Sequence, residues 1–523
     1  MNEMQTKRKE KLIWVISAAI LVLAEVVFRG DIIFVPMGKD SGAFAYFADL
    51  WLNGAILYKE TLVDNKPPGI YFVDAAAISL FGKSVYAVQL IDIIWNFLSA
   101  VTIFLVSREL FNRYVAVVVS ILFIIYSSIP ALASSGNLTV SYMLFPSIGG
   151  IYLLVLYLRE NIRRYLFWSG FLFGVSFLFK QPVVFESACA LGATILLSEN
   201  HRRYAEICRK VLLFAAGGLI PFFFLSLYCT VSGGFEDMVY ALFILPMEMV
   251  SGGRNIFQRT DTLYSVINIF KSDLKHLSLL CIFSSAVVIV YLKRFNKVTI
   301  FLYIWFLGSL VGSLSGAIPS KQYYLQIIPS MAIIAGIGCY RLWEIKNKLF
   351  WTKYKMVVLS IALLVFLRHT VDAEVRDFRN NVLKHVNSPR PLTREETLAN
   401  FVNANTNPGD YIYGFGGHTY LRVSFMANRL FATRHAISKM IDGSAYESGS
   451  LIYPHPSKTA WMMNEMIEDV IRAKPKLIFG YSDYYRTHPA YSRLVQWIDL
   501  NYKYMGANDT VPLKDYLPVM VIK

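Results

Sequence analysis

Asp40 and Lys66 are the two residues of this 523-residue chain whose types and surroundings most invite chemistry. Asp40 is followed by Ser41-Gly42-Ala43 and then by Phe44 and Tyr46, small and flat residues that let an acceptor approach a carboxylate. It stands a few residues beyond an apolar segment, at the edge of a low-dielectric region. Partial burial there is expected to raise its pKa towards working pH, which makes it a candidate general base. Asp31, Asp49, Asp64 and Asp74 compete on the same grounds. Lys66 is followed by Pro67-Pro68, which stiffen the chain and remove two backbone donors, so its ammonium is presented from a rigid turn. A fixed cation of that kind suits a phosphate. Lys180 lies between two apolar runs and Lys321 just before another, positions where a charge either works or is led to the interface along its own stem. Arg254 and Arg259 sit in a later polar loop, and Glu25 and Asp92 fall within apolar segments, where they suit pairing inside a bundle.

These residues hang on a chain that is 55% apolar and only 17% charged, against about 25% charged in soluble domains. It reads as a polytopic α-helical membrane protein. Runs of roughly 17 to 25 apolar residues can cross about 30 Å of hydrocarbon as helix. Eleven such runs are expected (the count could reach 13), at 12–29, 85–106, 114–131, 139–158, 165–179, 182–198, 211–230, 274–292, 298–315, 322–341 and 353–371. The first is preceded by Lys7, Arg8, Lys9 and Lys11 but lacks a small-residue cleavage site, and is expected to be a retained helix.

The net charge of +15 is not a nucleic-acid footprint, because residues 372–523 hold 18 Lys/Arg against 15 Asp/Glu and the excess lies in short loops between apolar runs. With the N-terminus cytoplasmic, inner loops carry 21 Lys/Arg and outer loops 9, and the positive-inside rule sets the orientation. The loop 30–84 and everything after residue 371 then face outward. The five cysteines lie in or beside apolar segments without metal-ligand spacing, and no His/Cys/Asp cluster or Ser/His/Asp order stands out. His418 and His435 read as structural.

Two outer loops are long. In 30–84, residues 41–52 and 70–80 are expected to form short amphipathic helices lying along the membrane surface. Residues 231–273, rich in Gly, Met and Phe, are expected to form a mobile loop. The chain therefore divides into a transmembrane catalytic domain, 1–371, and an extracytoplasmic α/β domain, 372–523. In the latter, Thr393 with Glu396 is a capping box opening a helix to about Ala404. Strands are expected at 410–415, 476–479 and 516–522, with a helix at 459–472.

The order Asp40, aromatic-rich helix, Asn53-Gly54, Leu57-Tyr58, Asp64-Asn65-Lys66-Pro67-Pro68 and Leu80-Phe81-Gly82 resembles the first outer loop of the dolichyl-phosphate-mannose protein mannosyltransferase-like superfamily. That superfamily has the GT-C fold and includes the bacterial lipid A aminoarabinose transferases. Phe179-Lys180-Gln181-Pro182 and Tyr323-Tyr324-Leu325-Gln326 to Pro329 are similar to further family motifs, as are Pro408-Gly409-Asp410 and Lys474 to Ile478. The resemblance implies a bacterial inner-membrane enzyme that passes a sugar from a polyprenyl monophosphate to a lipid, glycan or protein acceptor, with inversion. It casts Asp40 as the base and Lys66, with Lys180, Lys321, Tyr323 and Tyr324, as binders of the donor phosphate.

The pattern departs from the family where many members carry a second acid. Here Ser41 follows Asp40 and the loop 131–141 has no carboxylate, which leaves Asp64 or Glu236 for that part. No cofactor is firmly implied, no metal ligands are assigned, and a divalent cation stays open. The rival readings are a multi-span transporter or lipid flippase, which would spread ionisable groups through its spans and show repeated halves, and an inactive sugar-lipid binding protein.

Overall fold

The computed structural model describes residues 2–60, 66–198, 203–251, 260–292, 297–316, 320–344, 390–415, 417–435, 459–505 and 519–523, with scattered positions between 368 and 388. Helices occupy the first ten expected apolar runs: Asn2–Arg29, Val85–Leu110, Arg113–Ser128, Thr139–Glu160, Arg164–Phe177, Val183–Leu197, Tyr204–Ser232, Lys275–Leu292, Lys297–Leu314 and Ile328–Glu344. The last of these is entered through a 3-10 turn, Lys321–Ile327. The run 353–371 lies almost entirely outside the described residues. Among the described helices Val85–Leu110, Thr139–Glu160 and Tyr204–Ser232 are long and apolar enough to cross a membrane. Local chemistry sets the helix ends: Asn112 accepts hydrogen bonds from the Tyr114 and Val115 amides at 3.0 Å each, an N-cap worth about 1 kcal/mol. Asn161, at φ 56°, turns the chain out of Thr139–Glu160.

Two expectations need correction. Residues 231–273 are largely helical, with Phe235–Val239, a π-helical turn at Tyr240–Ile244, Leu245–Ser251 and Thr260–Lys271, while 252–259 lie outside the described residues. Glycine and methionine content misled here because Gly233 is needed for a backbone turn at φ 76° and Gly234 for packing, where a Cβ would lie 2.9 Å from the Leu57 carbonyl oxygen. The two short helices expected in the segment 30–84 exist, as Lys39–Leu52 and Gly69–Phe81. The first is not two-faced, since every residue from Ser41 to Ala48 is buried, whereas the second leaves Ala76, Ser79, Leu80 and Phe81 exposed.

The chain divides into two compact units, one of residues 1–35, 89–225 and 256–389, the other of residues 36–88, 226–255 and 390–523. In the first unit, small residues let helices approach closely. A Cβ on Gly170 would fall 1.9 Å from the Phe214 carbonyl oxygen, and one on Gly174 would fall 2.3 Å from that of Gly218, so Arg164–Phe177 and Tyr204–Ser232 meet backbone to backbone. A buried polar network ties three more segments. Arg29 donates to Asp92 Oδ2 at 2.7 Å and to the Ser127 carbonyl at 2.8 Å, and Asp92 Oδ1 accepts from the Asn137 amide at 2.9 Å. Asn96 donates to Glu25 and accepts from Ser127 Oγ at 3.0 Å. Glu25 and Asp92 thus have the internal pairing role expected of them.

The second unit contains a five-stranded sheet of order β2-β1-β3-β5-β4. The strands are β1 Tyr411–Gly414, β2 Leu430–Phe431, β3 Leu477–Phe479, β4 Tyr502–Tyr504 and β5 Met520–Ile522. β1 runs parallel to β2 and β3, and β5 pairs antiparallel with β3 and β4. The capping box at Thr393 and Glu396 is present and opens Arg394–Asn405, and the later expected helix is Thr459–Ala473. The chain between β1 and β2 forms the helix His418–Ala427, which packs on Lys39–Leu52. Tyr46 Oη accepts from the Phe431 amide at 2.7 Å, pairing a donor on the strand that lies at the edge of the sheet among the described residues.

A Gly174→Leu substitution must force the two backbones apart. Overpacking of this kind costs about 1–3 kcal/mol and should lower the unfolding temperature of the detergent-solubilised protein, whereas Gly192→Leu, where a Cβ meets nothing within 4 Å, should leave it unchanged.

Candidate active site

Of the acids that competed on sequence grounds, most are committed. Asp31 accepts from Asn381 at 3.0 Å, Asp49 pairs with Lys83 at 2.7 Å, Asp74 is fully buried, and Asp64 lies outside the described residues. Asp40 differs in being partly open, its side chain 41% exposed. It sits in the first turn of Lys39–Leu52, after the extended Gly38, where the unpaired amides of a helix start favour a negative charge.

The structure sets His418 against it: His418 Nδ1 donates to Asp40 Oδ1 at 3.1 Å. Burial works against the Asp40 charge, but the hydrogen bond and charge of His418, followed by the charges of Lys66 and Lys39, outweigh it and hold the carboxyl below the usual carboxylate range. This corrects the sequence-based expectation that burial would raise it. The desolvation is there, and a histidine 378 residues away overrides it.

Lys66 shares the second unit with Asp40 and acts on it through its charge. The turn it leads is anchored from behind: Tyr58, at φ 66°, donates its hydroxyl to the Lys66 carbonyl at 3.0 Å. The neighbouring turn is held by Arg434, which donates to the Lys59 carbonyl at 2.5 Å and pairs with Glu465. His435, buried, shares Glu465 at 2.8 Å, the structural role expected of it. Desolvation, ahead of its other contacts, lowers its pKa below that of a free histidine.

Lys180, Lys321, Tyr323 and Tyr324 belong to the first unit. Lys180 is buried, 8% exposed, with its ammonium 3.3 Å from the centroid of the Tyr323 ring. The two residues are thus brought together as a desolvated cation–π pair, worth about 2 kcal/mol. Lys321 instead lies at the surface, paired with Asp273 at 3.1 Å, an exposed bridge worth about 0–1 kcal/mol. Tyr324 is buried, 2% exposed. The 3-10 turn that carries these tyrosines is fixed by Gln326, which donates to Glu186 at 3.0 Å, while Trp305 donates to the other carboxylate oxygen at 2.8 Å. Gly312 makes room for this, since a Cβ there would lie 2.7 Å from Gln326 Nε2. Glu236 is exposed on its short helix. Among the described residues no three His, Cys, Asp or Glu side chains gather as metal ligands.

The model of the family described as dolichyl-phosphate-mannose-protein mannosyltransferase matches residues 65–228. ArnT from Cupriavidus metallidurans in the apo state is similar over 97% of both chains, at 13% identity and TM-score 0.60. The chain has the GT-C fold. The same protein bound to undecaprenyl phosphate is similar at 14% identity and TM-score 0.59, again over 97% of each chain. An Archaeoglobus fulgidus oligosaccharyltransferase, tethered to an acceptor peptide containing the NVT sequon, is similar at 13% identity and TM-score 0.52, over 98% of this chain and 76% of that one. A sequence comparison with curated proteins finds no match. The GT-C architecture and the family segment agree with the resemblance read from the first outer loop.

His418 is the site residue that the sequence concealed. No spacing links it to Asp40, and the one local signal is Gly417 at φ 90°, a break that starts the helix at that residue.

Asp40's ionisation should be visible in folding. Its folded-state pKa lies below the unfolded one, so the charge favours the folded form above about pH 4. That contribution is lost as pH falls through the lower folded value. Thermal midpoints taken between pH 5 and pH 3 should therefore fall less steeply for Asp40→Asn than for the wild type, and equal slopes would mean that the pair does not hold the charge.

Proposed function

We propose that the protein is an integral membrane glycosyltransferase that transfers a sugar from a polyprenyl monophosphate to an acceptor on the extracytoplasmic face. The observation that carries the reading is the likeness over 97% of both chains to ArnT, one structure of which holds undecaprenyl phosphate, together with an exposed carboxylate and a turn-mounted lysine in one unit. The positive-inside count supports an extracytoplasmic active face and C-terminal region, and a bacterial inner membrane is the setting the ArnT likeness supports.

In this mechanism the acceptor hydroxyl attacks the anomeric carbon from the face opposite the phosphate. The new carbon–oxygen bond forms, the bond to the phosphate oxygen breaks, and the configuration inverts. Asp40 takes the hydroxyl proton, and the electron pair of the broken bond leaves on the polyprenyl phosphate. A carboxylate held ionised is a weak base, suited to removing the proton late, as the hydroxyl oxygen becomes positive. Lys66 faces a phosphate whose negative charge grows as the bond breaks, so it binds the transition state better than the ground state. Lys180 with Tyr323 and Tyr324, and Lys321, are further candidate contacts to the donor. Asp64 and Glu236 are the candidates for a second acid, and a divalent cation has no assigned ligands.

Mass spectrometry of membrane lipids from cells lacking the gene should show an accumulated polyprenyl-phosphate sugar, which names the donor. Its absence would remove the basis for this function. Asp40→Asn should lower transfer by roughly 10²–10⁴-fold while undecaprenyl phosphate still binds. Lys66→Gln should weaken binding of that lipid by about 1.5–3 kcal/mol, the range for a hydrogen bond to a charged group.

A further inference from the structure

The His418 ring has a single polar use among the described residues. Nδ1 donates to Asp40, and Nε2 is buried without a hydrogen-bond partner. A buried unpaired polar atom costs about 1–3 kcal/mol, a cost that His435 also bears at its Nδ1. In His418 that cost is borne while the other nitrogen is spent on a partly exposed carboxylate. The surrounding contacts fix this geometry. Gly42 leaves a notch in Lys39–Leu52 into which the Arg422 stem fits, since a Cβ on Gly42 would lie 2.5 Å from Arg422 Cβ. Arg422 then donates to the Met37 carbonyl at 2.6 Å and pairs with Glu395 at 2.5 Å, holding the backbone just ahead of Asp40. One turn earlier on the same helix, His418 is delivered to the acid.

We propose that His418 is a positioning residue for the base: its Nδ1–H holds one oxygen of Asp40 and keeps the carboxylate turned so that the other accepts from the acceptor hydroxyl. The inference rests on Asp40 being the base. The proton taken from the hydroxyl goes to the free oxygen of Asp40 and from there to water, which the exposure of the side chain permits. The charged groups around the pair are Lys39 on its own helix, Lys66 on the turn, and Arg422 with Glu395 beside His418. Without the Nδ1–H donor, burial of the carboxylate is opposed by the lysines and the helix start but no longer by the larger influence of His418. Asp40 then takes up a proton at higher pH than before, and the acid limb of the rate profile moves up.

Asn and Gln separate the role from simple packing. Asn places an amide N–H near the position of Nδ1, and Gln places it near Nε2. Cells lacking the gene are complemented with wild type, His418→Asn, His418→Gln or Asp40→Asn, grown at external pH 5 and 7.5, and their polyprenyl-phosphate sugar is measured by mass spectrometry. Binding of undecaprenyl phosphate by each purified full-length variant reports folding. Wild type and His418→Asn should hold the lipid sugar low at both values. His418→Gln should accumulate it at least about threefold more at pH 5 than at pH 7.5, since each unit of pKa above the ambient pH removes about tenfold of the ionised form. Asp40→Asn should accumulate it at both. If His418→Gln matches wild type at both pH values, or if Asn and Gln fail alike at both while still binding undecaprenyl phosphate, the positioning role is overturned. If Asp40→Asn keeps the lipid sugar low, it is the base assignment beneath it that falls.

Discussion

The close approach of Lys39–Leu52 to His418–Ala427 is the constraint on which the second unit depends. It exists because residue 42 has no side chain, and any Cβ there would meet Arg422 at both its side chain and its backbone. Through that notch residues 36–88 and the C-terminal region gain a common core. Arg422 reaches the Met37 carbonyl, Tyr46 meets the edge of the sheet, and Lys83 bridges Asp49 and Asn428. These are polar contacts around an apolar seam, so they fix register more than they add stability. Helices that could slide along an apolar face are pinned at residues whose hydrogen bonds are directional.

Much of this was legible in the sequence. Ten of the eleven apolar runs coincide with helices, seven of them with both ends within four residues of those expected, while Asn2–Arg29 and Tyr204–Ser232 begin ten and seven residues earlier and Ile328–Glu344 begins six later. The capping box at Thr393 and Glu396, and the strands at Tyr411–Gly414 and Leu477–Phe479, follow from local chemistry that tertiary contacts had no cause to override. The resemblance of the first outer loop pointed to the architecture that the similar structures share. Lys180 and Tyr323, picked separately, prove to be neighbours.

What stayed hidden was tertiary. Glycine-rich composition suggested a loop at 231–273, yet Gly233 answers to a positive φ between helices and Gly234 to close packing against Leu57. The lowered pKa of Asp40 could not be read from a neighbourhood of small and aromatic residues, because its largest opposing influence comes from a histidine at the other end of the chain. Desolvation is a local property that sequence context hints at. Compensation by a distant donor is not. Residues 36–88 likewise join residues 390–523 in one compact unit, an association that no linear boundary expresses.

The order in which the chain is made gives that association a further meaning. The second unit draws on residues 36–88, 226–255 and 390–523, so it cannot close until residues 390–523 have been made. Domains fold as units as the chain emerges, N-terminal parts first, but here the earliest part must wait for the last. Throughout that interval Gly42 faces an empty notch, the carboxylate at residue 40 lacks its histidine, and Tyr46 has no strand to meet. A ribosome that stops before residue 418 releases a protein with most of its apolar helices and an unfinished acid. In physical terms the long separation acts as a check on synthesis: the catalytic candidate acquires its electrostatic setting only in a chain that has been translated past residue 418.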